Sequence, residues 1–78
     1  MKTEIRMPRL NADMKDGMLA RWNKQTGDAV QQGEILCEIE TDKVVSEIEA
    51  SCSGTVAQLC AQEGDRVPVG QVIAVVEG

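Results

Sequence analysis

The stretch Gly17–Glu40 reads GMLARWNKQTGDAVQQGEILCEIE, and it returns without a gap at Gly54–Glu77 as GTVAQLCAQEGDRVPVGQVIAVVE, 37 residues further along the chain. Eight positions are identical between the two copies, including Gly27 and Gly64, and apolar residues recur at matching places. A short chain that contains two similar halves predicts a fold with pseudo-twofold symmetry.

Each half has the pattern of a β structure. Short stretches alternate apolar and polar residues or are almost continuously apolar, and turn residues separate them. In Thr26–Asp28 and Glu63–Asp65 a glycine can supply the positive φ that a tight reversal needs. The predicted strands are Glu4–Met7, Met18–Trp22, Glu34–Glu40, Val45–Glu49, Thr55–Leu59 and Gln71–Val76.

The predicted fold is therefore all-β, a flattened barrel or sandwich of two four-stranded sheets related by the pseudo-twofold, also called a barrel-sandwich hybrid. Such closure is a common solution to the edge-strand problem in small β domains. With 78 residues, the chain is expected to form one domain over 1–78.

Composition excludes several classes of function. Eight Lys and Arg against thirteen Asp and Glu give a net charge of −5, which argues against binding nucleic acid or an anionic membrane. The chain has no histidine, so acid–base catalysis would depend on carboxylates and lysines alone. We expect no catalytic residue, no metal site and a monomer in the cytoplasm of a bacterium, or in the mitochondrial matrix if a transit peptide was removed.

The less common residues are expected to be structural. Cys37 and Cys60 lie in strand-like stretches and are predicted to be buried, reduced thiols, whereas Cys52 in a turn is a candidate exposed thiol. Trp22 is the only aromatic residue and is predicted to fill the core. The methionines are expected to fill gaps or to lie in loops, with exposure left open for Met14.

Lys43 has a distinctive position between the two repeats, in Glu40–Glu49, which reads ETDKVVSEIE. The first repeat ends at Glu40 and the second ends at Glu77, beside the end of the sequence. The symmetry therefore predicts that the turn around Lys43 corresponds to the chain ends and that the lysine projects from the opposite end of the domain. Charge and spacing alone are equally compatible with an ordinary surface lysine in loose ion pairs.

The residues around Lys43 closely resemble the lipoyl-attachment motif in the acyltransferase (E2) subunits of 2-oxo acid dehydrogenase complexes. The resemblance rests on ETDKV at Glu40–Val44 with EIEA at Glu47–Ala50, and it extends over nearly the whole chain. Met7–Leu10 and Asp16–Trp22 resemble the start of such a domain, and the Met7-Pro8 opening with Met14 in the following loop is closer to the pyruvate or acetoin type than to the 2-oxoglutarate type.

The resemblance implies that Lys43 carries lipoate in amide linkage and that the domain is a swinging-arm carrier, not an enzyme. The decarboxylase (E1) reductively acylates the dithiolane, the E2 catalytic core transfers the acyl group to coenzyme A, and dihydrolipoamide dehydrogenase (E3) reoxidises the dithiol. A lipoate ligase or lipoyl transferase attaches the group. The implied recognition residues for these partners are Glu40, Thr41, Asp42, Val44 and Glu47.

The sequence is also compatible with other functional interpretations. A biotin carrier domain of a biotin-dependent carboxylase shares the fold and the lysine, but it typically has Met-Lys-Met where this chain has Asp42-Lys43-Val44. The H-protein of glycine cleavage is longer. A non-carrier interaction module of the same fold would make Lys43 incidental. The segment Arg9–Asp16 interrupts the symmetry, and we expect it near the lysine as a partner contact or as a solvated loop.

Overall fold

The computed structural model describes residues 1–78, and it contains eight β-strands and no helix. No segment therefore forms a helix long and apolar enough to cross a membrane. The strands are β1 (Lys2–Arg6), β2 (Asp16–Trp22), β3 (Ala29–Val30), β4 (Ile35–Glu40), β5 (Val45–Glu49), β6 (Gly54–Leu59), β7 (Arg66–Pro68) and β8 (Val72–Glu77).

Two antiparallel four-stranded sheets form the fold, with strand orders β1-β8-β6-β3 and β5-β4-β2-β7. Exchanging β1 with β5, β2 with β6, β3 with β7 and β4 with β8 converts one order into the other. The irregularities follow the same rule, because a register shift between Leu19 and Arg21 in β2 recurs between Val56 and Gln58 in β6. The predicted all-β fold and its pseudo-twofold are confirmed.

The turns repeat at the level of single hydrogen bonds. The carboxylate of Asp28 accepts from the Gln25 amide at 2.8 Å, and that of Asp65 accepts from the Gln62 amide at 2.9 Å. The glycine beside each aspartate has a φ of about +94° or +95°, a conformation that other residues adopt only at a cost. The predicted role of glycine in these turns is confirmed.

The core between the sheets is entirely apolar. Sixteen hydrophobic residues form one cluster, and no polar or charged side chain is buried. Trp22 is buried as predicted, and its indole Nε1 donates to the carbonyl of Ala61 at 2.9 Å, which satisfies the one polar atom of the ring.

Strand β1 separates the chain ends from the Lys43 turn. Met1 and Gly78 exchange two backbone hydrogen bonds at 2.9 and 3.0 Å. From there β1 runs through five residues, about 17 Å of extended chain, to Met7. The sulfur of Met7 lies 3.4 Å from an ideal Cβ on Gly17, at the lysine end of β2, so the ends and Lys43 are opposite each other, as the symmetry predicts.

One expectation about a single residue is wrong. Cys60 is predicted to be buried in a strand, but it lies just beyond the end of β6 and is exposed. Met14, whose exposure the sequence leaves open, is buried and packs against the core. Cys37 is buried as predicted, while Cys52 is half-buried. Apolar character alone does not determine whether a residue beside a strand end faces the core.

Candidate functional site: the Lys43 turn

A four-residue turn from Thr41 to Val44 joins β4 to β5 and carries Lys43 near its tip. The amide of Thr41 donates to the carbonyl of Val44 at 2.9 Å. Two-residue hairpin loops normally use residues with positive φ, but no residue other than glycine has positive φ in this chain. Asp42 and Lys43 therefore lack the positive-φ conformation of the common two-residue hairpin loops.

The hydroxyl of Thr41 makes three hydrogen bonds within this turn. Its Oγ1 accepts from the amides of Lys43 at 3.3 Å and Val44 at 3.2 Å, and it donates to the carbonyl of Val44 at 3.3 Å. A hydroxyl offers one donor and two acceptor positions, and this one uses all three. Thr41 thus stabilises the turn from within, which explains a threonine immediately before Asp-Lys.

The Lys43 side chain is free of intramolecular partners. It is exposed, and its Nζ takes part in no ion pair and no hydrogen bond with the rest of the chain. Three carboxylates lie near it in the sequence, at Glu40, Asp42 and Glu47, but none of them pairs with it. A defined backbone that presents an unpaired amine is suited to covalent modification by a partner enzyme.

The loop between β1 and β2 packs beside this turn, as expected from its break in the symmetry. The guanidinium of Arg9 donates to the carbonyls of Ala12 at 3.3 Å and Met14 at 2.9 Å, which closes the loop on itself. The buried Met14 side chain fastens the loop to the core, and its Cε lies 3.0 Å from an ideal Cβ on Gly17.

Two adjoining clefts lie beside the turn, the larger between the turn and the β1–β2 loop and the smaller between the turn and strands β2 and β7. The larger has a volume of about 440 Å³, and only one of its nine lining residues is hydrophobic. The smaller has a volume of about 230 Å³ and shares Thr41, Asp42 and Arg66 with the larger. The larger cleft is lined by Asn11, Asp13, Met14, Lys15, Asp16, Thr41, Asp42, Lys43 and Arg66.

Charges of both signs line the larger cleft, and two of its lining residues, Asp16 and Arg66, form an ion pair. Arg66 in β7 donates through a terminal nitrogen to the carboxylate of Asp16 in β2 at 2.8 Å. The hydrogen bond that Arg66 donates to Asp16 is the main reason that the pKa of Arg66 is raised, and the charge of Asp42 adds a smaller contribution. The guanidinium therefore lies in the field of the turn as well as that of its partner.

The structure brings together some of the residues that the sequence proposed for recognition. Thr41 and Asp42 line the larger cleft together with Lys43. They also line the smaller cleft, together with Glu40. Val44 lines neither cleft, but it is 43% exposed next to Lys43. Glu47 is exposed on β5 opposite Glu38 and contributes to neither cleft.

Sequence reasoning did not identify Arg66 as part of this site, although Arg66 lines both clefts. One signal was available in the alignment of the two repeats. At the 37-residue offset Arg66 matches Ala29, so a long cation replaces a methyl group in an otherwise similar turn and strand. This departure from internal symmetry lies at the end of the fold that carries Lys43.

Comparison with known proteins places these features in a family. Residues 3–76 match the biotin/lipoyl family model, which is described as "Biotin-requiring enzyme". The chain is 47% identical over 76 residues to the acetyltransferase component of the pyruvate dehydrogenase complex of Zymomonas mobilis. It is also 47% identical over 73 residues to the succinyltransferase component of the 2-oxoglutarate dehydrogenase complex of Staphylococcus saprophyticus. These matches cover 96% and 94% of the chain but only 17% of each relative.

Solved structures agree with this placement. The lipoyl domain of the 2-oxoglutarate dehydrogenase complex of Azotobacter vinelandii superposes with a TM-score of 0.80 at 36% identity, covering 96% of this chain and 95% of that one. The urea carboxylase of Kluyveromyces lactis has a TM-score of 0.82 at 23% identity and covers 99% of this chain and 6% of that one, which shows a shared fold alone. The chain therefore belongs to the biotin/lipoyl domain family, and it is a lipoyl domain of the kind found in E2 components of 2-oxo acid dehydrogenase complexes.

Proposed function

We propose that the chain is a carrier domain in which Lys43 bears lipoate in amide linkage, and that it serves the acyltransferase (E2) component of a 2-oxo acid dehydrogenase complex. The observation that carries the proposal is an exposed, unpaired lysine at a hydrogen-bonded turn in a chain of the lipoyl type. When bound, lipoate supplies a dithiolane that can accept an acyl group and pass it on.

The residues of the chain fit that group. Amide formation consumes the amine of Lys43, and no ion pair or internal hydrogen bond has to be broken to reach it. The turn keeps its hydrogen bonds after modification, because they involve the backbone and the Thr41 hydroxyl only. Amidation removes one positive charge and takes the formal net charge from −5 to −6.

In this proposal the domain presents the lipoyl group on Lys43, and the partner enzymes carry out the chemistry. The clefts beside Lys43 contain carboxylates, amines and a guanidinium but no histidine or cysteine, which suits recognition by other enzymes. The proposed partners are the decarboxylase (E1), the E2 catalytic core, dihydrolipoamide dehydrogenase (E3) and the lipoate ligase or lipoyl transferase. A tether would raise the effective concentration of the arm at each active site.

The lysine assignment is tested by intact mass after co-expression with a lipoate ligase. We expect the wild-type chain to gain one lipoyl amide and Lys43→Ala to gain nothing. Lys15→Ala is the matched control, since Lys15 lines the same cleft and its loss should leave modification intact. An unmodified wild type, or a modified Lys43→Ala, would overturn the proposal.

A biotin carrier is the competing assignment, favoured by the shared fold. Co-expression with a biotin ligase in place of the lipoate ligase separates the two, because the mass gained identifies the group. We expect no biotin on the wild type, where Val44 follows the lysine. Changing Asp42 and Val44 to methionine together should transfer modification toward biotin if these flanking residues carry the distinction.

The acyl substrate is a separate proposal. The opening Met7–Leu10 favours a pyruvate or acetoin complex, while relatives of both pyruvate and 2-oxoglutarate types match at 47%. The lipoylated domain would be offered to decarboxylases for pyruvate, acetoin and 2-oxoglutarate. The highest kcat/KM for reductive acylation should come from the pyruvate or acetoin enzyme, and a higher value with the 2-oxoglutarate enzyme would contradict this choice.

A further inference from the structure

Arg66 lies at the attachment end of the domain, in the edge strand β7. Its Cα lies opposite that of Met18, which in turn lies opposite Glu40, so the three residues form a row across β7, β2 and β4. The next residues beyond Glu40 are the turn that carries Lys43. Arg66 also lines both clefts that flank Asp42.

The pseudo-twofold provides an internal control for the ion pair between Asp16 and Arg66. At the opposite end of the domain the equivalent positions are Ser53 and Ala29, each 37 residues away. Ala29 forms the short strand β3 and pairs with Thr55, just as Arg66 forms β7 and pairs with Met18. The fold therefore builds this pair of strands without any ion pair.

Stability is also a poor explanation for the pair. The side chains of Arg66 and Asp16 are 66% and 38% exposed, and exposed ion pairs contribute little to stability because water screens them. The pair thus maintains a charged feature at the functional end that the architecture does not require.

The guanidinium has unused binding capacity. It carries five N–H donors in a planar fork, and Asp16 is its only hydrogen-bond partner in the chain. Because Asp16 already restrains the side chain, less rotational freedom is lost when a second ligand binds. A planar donor group of this kind recognises carboxylates.

The position of Arg66 near the Lys43 turn indicates which partner enzyme must approach Arg66. An enzyme that forms an amide at Nζ of Lys43 has to bring its active site to the end of that one side chain, beside the larger cleft, which Lys43, Asp42 and Arg66 line. Enzymes that act on the far end of a long attached arm have no such requirement. The attaching enzyme is therefore the partner whose surface must pass closest to Arg66.

We propose that Arg66, held in place by Asp16, is a specificity-determining residue for the enzyme that attaches the prosthetic group to Lys43, and that it binds a carboxylate on that enzyme. The proposal rests on the assignment of Lys43 as the attachment site.

The test measures loading kinetics with purified lipoate ligase, lipoate and ATP on the wild-type chain, Arg66→Ala and Arg66→Lys. Alanine is the residue that the fold uses at the symmetric position, so the variant should retain the wild-type Tm. We expect Arg66→Ala to lower kcat/KM roughly tenfold through KM with kcat unchanged, the pattern of a lost binding contact. Arg66→Lys should recover part of the loss, and loading of the wild type should fall more steeply with salt than that of Arg66→Ala.

A charge-exchanged variant, Asp16→Arg with Arg66→Asp, separates recognition from support. The exchange rebuilds an ion pair between the same strands but moves the cation, so we expect a normal Tm and loading as poor as that of Arg66→Ala. Normal loading of either Arg66→Ala or the exchanged variant would overturn the inference. Failure of the wild type to load at Lys43 would instead refute the proposed function itself.

Discussion

Gly17 lies in β2 beneath the Lys43 turn, where three core side chains converge on its Cα. An ideal Cβ built on this residue would lie 2.7 Å from Cγ2 of Ile39, 3.0 Å from Cε of Met14 and 3.4 Å from the sulfur of Met7. Carbon atoms in contact normally stay about 3.5–4.0 Å apart. Gly17→Ala therefore introduces a methyl group into space that is already occupied.

Two effects oppose each other in this substitution, and their magnitudes decide the sign. Gly17 does not have positive φ, so alanine fits its backbone and should stabilise the fold by about 0.4–1 kcal/mol through the unfolded chain. Overpacking a dense core costs about 1–3 kcal/mol. The flexible end of Met14 can move aside, but Ile39 is fully buried and β-branched, hence stiff. We expect a net loss of roughly 0.5–2 kcal/mol in the free energy of unfolding.

Thermal and urea denaturation measure this loss, and Trp22 provides the signal as the only aromatic residue. For a domain of this size the loss corresponds to a decrease in Tm of about 2–16 °C, with an unchanged urea m-value. An unchanged or higher Tm would refute the argument, because the entropic effect would then have prevailed over the close contacts.

The symmetric glycine supplies a matched comparison. A Cβ on Gly54 would overlap the backbone carbonyl of Glu77, and a backbone atom can move only if the end of β8 leaves its pairing with Thr55. Gly54→Ala should therefore lower Tm more than Gly17→Ala does. The reverse order would show that the end of β8 yields more readily than the packed side chains of the core.

Three further predictions concern single side chains. Thr41→Val removes the hydroxyl that accepts from two turn amides, so hydrogen exchange of those amides should accelerate and the free energy of unfolding should fall by about 0.5–1.5 kcal/mol; Thr41→Ser should behave like the wild type. Burial raises the pKa of the Cys37 thiol to about 12, so a thiol reagent at pH 8 should label the exposed Cys60 in the native chain and reach Cys37 only after denaturation. Equal labelling rates for the two thiols would contradict this burial. The backbone hydrogen bond from Gln31 lowers the pKa of Glu34 below 4.5, which means that its contribution to stability is present above pH 4.5 and is lost as the pH falls through the folded pKa. The difference in Tm between the wild type and Glu34→Gln should accordingly shrink below pH 4.5, and a constant difference at all pH values would contradict it.

Prediction from the sequence worked best where the signal was periodic or repeated. The six longer strands were located to within two residues at either end, because alternating or almost continuously apolar stretches bounded by turn residues indicate strands. The strands β3 and β7 were not delimited, since two and three residues are too few to show alternation. The burial of Cys60 was predicted incorrectly because apolar character does not show which face a residue occupies: its side chain is exposed although its amide donates to the carbonyl of Ile73 and the next residue, Ala61, is buried.

The site was partly predictable for a similar reason. Lys43 and the acidic residues around it are contiguous in the sequence, so the motif could be recognised without a structure. Arg66 is distant in sequence from Lys43 and reaches the site only because β7 pairs with β2 and β2 pairs with β4. The mismatch of Arg66 with Ala29 in the repeat singles the residue out, but it does not show that Arg66 meets Lys43.

The sequence by itself determined the all-β class, the pseudo-twofold and the lipoyl-type motif around Lys43, because these depend on patterns and motifs that are local or are repeated at a fixed offset. Only the tertiary structure decided how the lysine is presented: the three hydrogen bonds of Thr41, the loop fastened by Met14 and the ion pair of Asp16 with Arg66. The loop packing and the ion pair join residues from separate strands and loops, and the Thr41 bonds depend on the dihedral angles that the hairpin adopts. Strand pairing and close packing set the loop packing and the ion pair, whereas the local backbone of the hairpin sets the Thr41 bonds.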